Sequence, residues 1–429
     1  MEAKELLLHE VKQNDVTIIN DKNNDTTNDL NSANDDNHLI NLEKGDPTMF
    51  CSYWKKLDNE CSVTIKASEL ISYTINHKEA DFFGQMPEFV EAVKRVHRVV
   101  GNAVTEGRYV IGGTGSSQLF LVALRALASS VRKTTNGSNS SNKRIPVVCA
   151  EPYYSFYKEA MEQEKSELYE WQGDANTFKP ESNNPYIEVV TSPNNPDGRS
   201  RKPVVKGEGG VVMYDLAYYW PQYTPITSPA DYDVMLFTLS KTTGHAGSRM
   251  GWAIVKDQEI AKKMKKQIWL TIIGSCQEGQ FRATKILQFV ADRYEHASYY
   301  KPPNNMYVPK LFQIEGVFDY GHRILAQRWE KLRAIVQRIG VLSLPDFSPG
   351  FCNFFQKPTS SVPAFAWVEC KTVEDAEQIT KKLKIKTRIG SRFGSSVSER
   401  FIRVSMMGDD HDFNLFLERL SSLATMELS

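Results

Sequence analysis

Four short apolar runs constrain the fold of this chain more than any other feature. They are IPVVC (145–149), YIEVVT (186–191), VVMYD (211–215) and VMLFTLS (234–240). Each is too short to be an independent helix and too continuously apolar to be a strand with one wet face. Runs of this kind form strands buried on both sides, as in a parallel sheet covered by helices. Helical and loop segments lie between them, which predicts an α/β architecture. Each run ends in a polar or glycine-rich cluster: AEPYY, SPNNPDG, LAYYW and KTTGHAGSR. In such sheets ligands bind beyond the carboxyl ends of the strands, where these clusters stand.

The flanking sequence extends this pattern. VEAVKRVHRVVGNAV (90–104) has helical periodicity. YVIGGTGSSQ (109–118) reads as strand, glycine turn and helix start, and LFLVALRALASSV continues that helix. After about Phe289 the order changes: helix RILAQRWEKLRAIVQRI (323–339), strand FAWVEC (365–370), helix VEDAEQITKKLKI, strand RFIRVSM (400–406) and a terminal helix. That predicts a smaller α+β domain. We divide the chain into a polar tail (1–38), a segment joining the small domain (39–75), a large domain (76–300) and a small domain (301–429). The tail is dense in Asn and Asp, too poor in apolar side chains to offset the entropy of ordering.

Composition narrows the function. The 429 residues hold 52 Lys plus Arg and 52 Asp plus Glu, so no net positive field draws nucleic acid or an anionic membrane. Six cysteines are scattered without zinc-ligand spacing, as expected of free thiols in a reducing compartment. No metal site is expected. The first residues lack the apolar run of a secretory signal, and no window is long enough to cross a membrane; a cytoplasmic location is expected.

The strand-end clusters carry the chemistry. Lys241 closes one apolar run and opens a glycine-rich loop, with Arg249 eight residues on. Alone, this lysine reads as a surface charge ahead of a phosphate clamp or a nucleophile. GGTGSSQLF (112–120) is either a tight strand-to-helix turn or an anion site made by free helix N–H groups; it lacks the lysine of a P-loop. Asn195 is either a turn former or an amide donor to a ligand oxygen. Asp215 is exposed, a cap, or the partner of a cation, and Tyr218 follows three residues later. One ligand would use all of them. Pyridoxal phosphate needs an aldehyde-bonding lysine, a carboxylate for its ring nitrogen, donors for its phenolate oxygen, an aromatic face and a phosphate cradle.

The blocks NLEKGDPT, VVGNAVTEGRYVIGGTGSSQ, TSPNNPDG, YYWPQYTPIT and FTLSKTTGHAGSRMGWAIVKD resemble the plant alliinase/tryptophan-aminotransferase family, from about Leu39 to near the C-terminus. The resemblance leans to the tryptophan aminotransferase-related branch. It implies a fold-type I pyridoxal-phosphate-dependent transferase: a large domain with a mainly parallel seven-stranded sheet, a smaller α+β domain, and a homodimer with active sites at the subunit interface. It implies that Lys241 joins the cofactor aldehyde and shuttles the proton, and that Asp215 pairs with the ring nitrogen. Asn195 and Tyr218 would donate to the phenolate oxygen. Ser116, Ser117, Ser240 and Arg249 would bind phosphate, with Tyr73 reaching it, in related folds from the other subunit. Tyr153 is expected to stack on the ring, with Tyr154 as the alternative. Arg403 would grip the substrate α-carboxylate, helped by backbone at Gly45. The implied reaction converts L-tryptophan and pyruvate to indole-3-pyruvate and L-alanine, towards the auxin indole-3-acetic acid. A C–S lyase acting on cysteine sulfoxides, and an aminotransferase for another aromatic amino acid, are the rivals on the same scaffold. A nucleotide-binding module built on GGTGSSQ gives Lys241 no role.

Overall fold

The computed structural model describes residues 38–72, 84–134, 143–181, 184–297, 313–372 and 375–423. The expected polar tail therefore lies outside the described residues, apart from His38. Strand β1 (Ile40–Asn41) opens the described chain.

The main sheet has seven strands: β2 (Tyr109–Gly113), β3 (Ile145–Cys149), β4 (Tyr169–Asp174), β5 (Tyr186–Thr191), β6 (Gly210–Asp215), β7 (Val234–Thr238) and β8 (Gly251–Val255). Their order is β2-β8-β7-β6-β5-β3-β4. Strands β4, β3, β5, β6 and β7 run parallel, and β8 pairs antiparallel with both β7 and β2. The four apolar runs thus occupy the parallel centre. Alternation decides which face each side chain serves. In β7, Met235 and Phe237 join one core with Trp252 and Ile254, while Val234 and Leu236 join the other with Ala253 and Val255. Both faces are dry, which is why these runs lack an apolar/polar alternation.

Helix α1 (Pro87–Val100) ends on Gly101, whose φ of 70° supplies the left-handed cap. Helix α2 (Gly115–Thr134) follows β2, and α3 (Phe156–Glu164) follows β3. Helices α4 (Gln258–Ile272) and α5 (Gln277–Ala297) follow β8. Two details differ from the sequence reading. The lysine-bearing run stops being a strand at Thr238, not Ser240. Leu239–Thr242 form a single helical turn, started by the Thr238 side chain accepting the Ser240 N–H at 3.3 Å. Strand β4, the sheet's edge, was not anticipated, because YEWQGD has the half-exposed character of an edge.

The second sheet is antiparallel and orders β14 (Arg388–Ile389), β15 (Phe401–Ser405), β12 (Phe365–Cys370) and β9 (Leu342–Ser343). Helices α6 (Val317–Ile339) and α7 (Asp410–Ser421) pack on each other beside it. A hairpin joins β10 (Gly350–Cys352) to β11 (Lys357–Thr359). Strand β1 pairs parallel with β13 (Ile385–Lys386), so the residues after Leu39 join this part of the molecule. That pairing carries residues 43–46 to the carboxyl ends of the main sheet.

Candidate active site

A cavity of about 430 Å³ lies at those carboxyl ends. It is lined by residues following β1, β2, β3, β5, β6 and β7, and by Phe365, Arg388 and Arg403 from the second sheet. Lys241 projects into it from the single helical turn after β7. Its Nζ donates to the Gly45 carbonyl and lies 5.8 Å from the Tyr218 ring centroid. Burial, then the positive charges of Arg403 and Arg249, pull its pKa down to about 8, with Asp46 opposing. A lysine in this range holds about a tenth of its population as the neutral amine at pH 7, far more than an ordinary lysine, and that is the form that attacks an aldehyde. Its backbone is held as firmly: the Lys241 carbonyl accepts from Gln222 Nε2 at 2.9 Å and from the Tyr223 hydroxyl at 3.1 Å. The sequence reading did not single out Gln222 or Tyr223, since neither belongs to a recognisable chemical pattern.

Asp215 ends β6. Burial raises its pKa, against hydrogen bonds from the Tyr157 hydroxyl to Oδ2 (2.7 Å) and from the Ala217 N–H to Oδ1 (3.1 Å). Tyr157, on α3, also lies 2.7 Å from Thr191 Oγ1. This carboxylate is fixed, buried and without a cationic side chain in ion-pair contact among the described residues. Tyr157 was likewise absent from the expected set; it comes from a helix more than fifty residues away in sequence.

Opposite, Arg249 lies over the start of α2. A Cβ on Gly115, whose φ is 76°, would stand 2.6 Å from Arg249 Nη2. A Cβ on Gly251 would stand 2.9 Å from the Ser116 backbone N and 2.8 Å from the Phe237 carbonyl. Only glycine at both positions lets the arginine, β8 and the helix start converge. Ser116, Ser117 and Ser240 line the same cavity. A guanidinium beside a helix N-terminus is an anion cradle. The loop between lysine and arginine is clamped from outside. Trp54 Nε1 donates to the Thr243 carbonyl at 2.7 Å, and a Cβ on Gly244 would meet the Phe50 ring at 2.7 Å.

Arg403, buried on β15, also lines the cavity. Its Nη1 donates to Asn195 Oδ1 at 3.0 Å and its Nη2 to the Glu43 carbonyl at 2.6 Å. Its guanidinium lies 4.1 Å from the Phe365 ring centroid. Burial, then the charge of Arg388, lower its pKa to about 10. With Oδ1 committed to Arg403, Asn195 keeps its amide N–H groups as donors.

The structure therefore gathers Gly45, Ser116, Ser117, Asn195, Asp215, Tyr218, Ser240, Lys241, Arg249 and Arg403 around one cavity. Tyr153 is a correction. Its ring packs at 4.9 Å against Trp171 of β4, and its N–H bonds the Phe393 carbonyl, so it is buried in a core away from the cavity. Tyr154 lines the cavity instead. Tyr73 lies outside the described residues.

The alliinase family model, described as Allinase, matches residues 40–424. The chain belongs to that family. It is 44% identical over 389 residues to tryptophan aminotransferase-related protein 2 of Oryza sativa subsp. japonica, covering 90% of this chain and 73% of that protein. It is 42% identical over 390 residues to the Arabidopsis thaliana protein of the same name, covering 90% and 82%. An alliin lyase of Allium cepa var. aggregatum is 32% identical over 387 residues, covering 87% and 79%. Among solved structures, substrate-bound BacF from Bacillus subtilis superposes with a TM-score of 0.60 at 17% identity, covering 99% of this chain and 95% of that one. An aminotransferase from Staphylococcus aureus gives 0.59 at 18%, covering 93% and 98%. At such identities the likeness shows the fold, which is that of the fold-type I pyridoxal-phosphate aminotransferases.

The residues present fit that cofactor. The Arg249–Gly115–Gly251 cradle suits a phosphate and would be filled by any Cβ. The buried Asp215 carboxylate suits a protonated ring nitrogen. Lys241 stands in the same cavity with a depressed pKa.

Proposed function

We propose that this protein is a pyridoxal-phosphate-dependent aminotransferase that moves the amino group of L-tryptophan to pyruvate, giving indole-3-pyruvate and L-alanine on the route to auxin. The observation that carries the aminotransferase reading is the one cavity lined by Lys241, Asp215, the Arg249 cradle and the buried cation Arg403. The greater identity to tryptophan aminotransferase-related proteins than to alliin lyase supports the choice of reaction.

When bound, pyridoxal phosphate supplies an aldehyde and an electron sink for charge at the substrate α-carbon. The chain supplies the rest. Arg249 with the first residues of α2, Ser116, Ser117 and Ser240 hold the phosphate. Asp215, kept in place by Tyr157 and the Ala217 N–H, holds the ring nitrogen proton. Asn195 and Tyr218 donate to the phenolate oxygen, and Tyr154 offers an aromatic face. Arg403 orients the α-carboxylate by a bidentate contact. Lys241 Nζ, as a neutral amine, takes a proton from one carbon and returns it to another. The Gly45 carbonyl holds it when it is protonated.

We further propose that the protein acts as a homodimer in the cytoplasm, on amino and 2-oxo acids, with no nucleic-acid or membrane partner. All six cysteines are free, and no described helix is long and apolar enough to cross a membrane. Ile71, Leu270, Ile273 and Phe281 are exposed apolar side chains that a second subunit would cover.

Product analysis tests the reaction. Purified protein with L-tryptophan and pyruvate should yield indole-3-pyruvate and alanine, and borohydride should fix the cofactor on Lys241. Pyruvate and ammonia released from a cysteine sulfoxide, without transfer from tryptophan, would establish the lyase instead. Protein that takes up no pyridoxal phosphate would end both readings.

A further inference from the structure

Two arginines share one wall of the cavity, and they differ in how their charge is met. Arg388 and Arg403 are directly opposite on β14 and β15, so their side chains leave the same face of the sheet. Arg403 is bonded to an amide oxygen and a carbonyl, and no carboxylate lies within ion-pair distance of it among the described residues. Its buried Nε has no hydrogen-bond partner. A buried cation in that condition calls for an anion from outside. Arg388 is already matched. Its Nη2 meets Glu43 Oε1 at 3.2 Å, its Nη1 donates to Ser155 Oγ at 3.0 Å, and Lys386 Nζ meets the other Glu43 oxygen at 2.9 Å. Burial tends to raise the Glu43 pKa, but hydrogen bonds and charge from Lys386 and Arg388 outweigh it and lower the pKa, so the carboxylate stays ionised. Glu43 lines the cavity itself.

We propose that Glu43, by neutralising Arg388 inside the cavity, sets the charge class of the substrates: amino and 2-oxo acids with one carboxylate are admitted, and dicarboxylates are rejected. This rests on the aminotransferase reading and adds to it a residue that determines specificity. A monocarboxylate satisfies Arg403 and lays its side chain against Tyr154 and Phe365 on the same lining. A second carboxylate would find Arg388 already bonded to Glu43, whose negative charge stands in the lining while its other cation, Lys386, lies outside it. That arrangement combines a missing partner with a repulsive one, which is how charge selectivity is built. The signal is invisible in sequence because Glu43 and Arg388 meet only through the pairing of β1 with β13.

The test separates charge selection from catalysis. Calorimetry on cofactor-loaded protein measures binding of two unreactive probes, butyrate and glutarate, and turnover compares pyruvate with 2-oxoglutarate as acceptors. Glu43→Gln keeps the carbonyl that holds Arg403 and removes the charge. It should raise the glutarate-to-butyrate affinity ratio by about tenfold, the scale of one released cation, and shift acceptor preference the same way. Arg388→Gln placed in the Glu43→Gln background should abolish the gain, and Arg388→Gln alone should not raise the ratio. An unchanged ratio in Glu43→Gln, or a rise in Arg388→Gln alone, overturns the proposal. If the ratio shifts as expected but wild-type protein transfers no amino group to either acceptor, charge selection stands and the aminotransferase reading falls.

Discussion

The chemistry of this site depends on how buried charges are compensated residue by residue. Lys241 sits where burial and two guanidinium groups disfavour its proton, which holds its pKa at about 8. Its reactive neutral form therefore grows as pH rises through that value. The rate of pyridoxal phosphate uptake by apoprotein, followed by absorbance, should climb with a midpoint near pH 8. Arg403→Gln removes a charge that lowers this pKa, so the midpoint should move upward; a midpoint that stays put would show that Arg403 does not act on the lysine. Asp215 poses the complementary case. Tyr157→Phe removes the 2.7 Å bond that favours its ionised form. A hydrogen bond to a charged group contributes roughly 1.5–3 kcal/mol, so cofactor affinity should weaken by about tenfold or more. Equilibrium dialysis of the variant checks it, and wild-type affinity would remove Tyr157 from the cofactor's support. Lys241 and Asp215 were legible in sequence because Asp215 closes an apolar strand and Lys241 follows one by three residues, and strand ends are where ligands bind. Tyr153 was misplaced because the alternation that fixes side-chain direction stops at Cys149. Beyond it, direction is set by contacts with Trp171 and Phe393, distant in sequence.

At the level of elements, the convergence of β2, β8 and α2 makes the Arg249 cradle proposed to hold phosphate, and glycine decides whether they converge. Gly115→Ala would place a Cβ 2.6 Å from the Arg249 guanidinium on a backbone with φ of 76°. Both the strain and the displaced arginine act against anion binding. The variant should lose pyridoxal phosphate affinity by about tenfold, and inorganic phosphate should protect it less than wild type against thermal unfolding, by the mass-action relation between binding and stability. Equal protection in both proteins would mean the cradle lies elsewhere. Sequence revealed this turn as a possible anion site but left a plain strand-to-helix turn open. Gly251, some 130 residues on, is what shows the close approach. The mainly parallel sheet was readable from its four buried runs and its seven strands only from the family resemblance, whereas β4 was not readable, since a half-exposed edge strand carries no continuous apolar signal.

Across the whole molecule, the cavity exists because the second sheet is tied to the carboxyl ends of the first. The ties that cross the gap include Arg403 to Asn195, Arg388 to Ser155, the Tyr153 N–H to the Phe393 carbonyl, and Glu151 to the backbone N–H groups of Ser395 and Ser396 at 2.7 and 3.0 Å. Arg403, Asn195 and Arg388 line the cavity, whereas Glu151 stands outside its lining and joins the two parts there. Gly394 is packed so tightly there that a Cβ would lie 2.3 Å from the Glu151 carboxyl carbon. Glu151→Gln keeps the shape and removes the charge that strengthens both bonds. These bonds are exposed, so their loss costs about 1 kcal/mol, a factor of about five. The position of Arg403 against the main sheet depends on this tie, whereas the phosphate cradle and Asp215 are built within the main sheet and its helices. The variant should therefore raise KM for the amino acid about fivefold while cofactor affinity and kcat change little. Glu151→Asp, too short by one methylene to span the gap, should behave like the Gln variant rather than the wild type. A matching loss of cofactor affinity would show that the two sheets share the cofactor's support, and unchanged steady-state constants would show that the arginine wall is held by its own bonds alone.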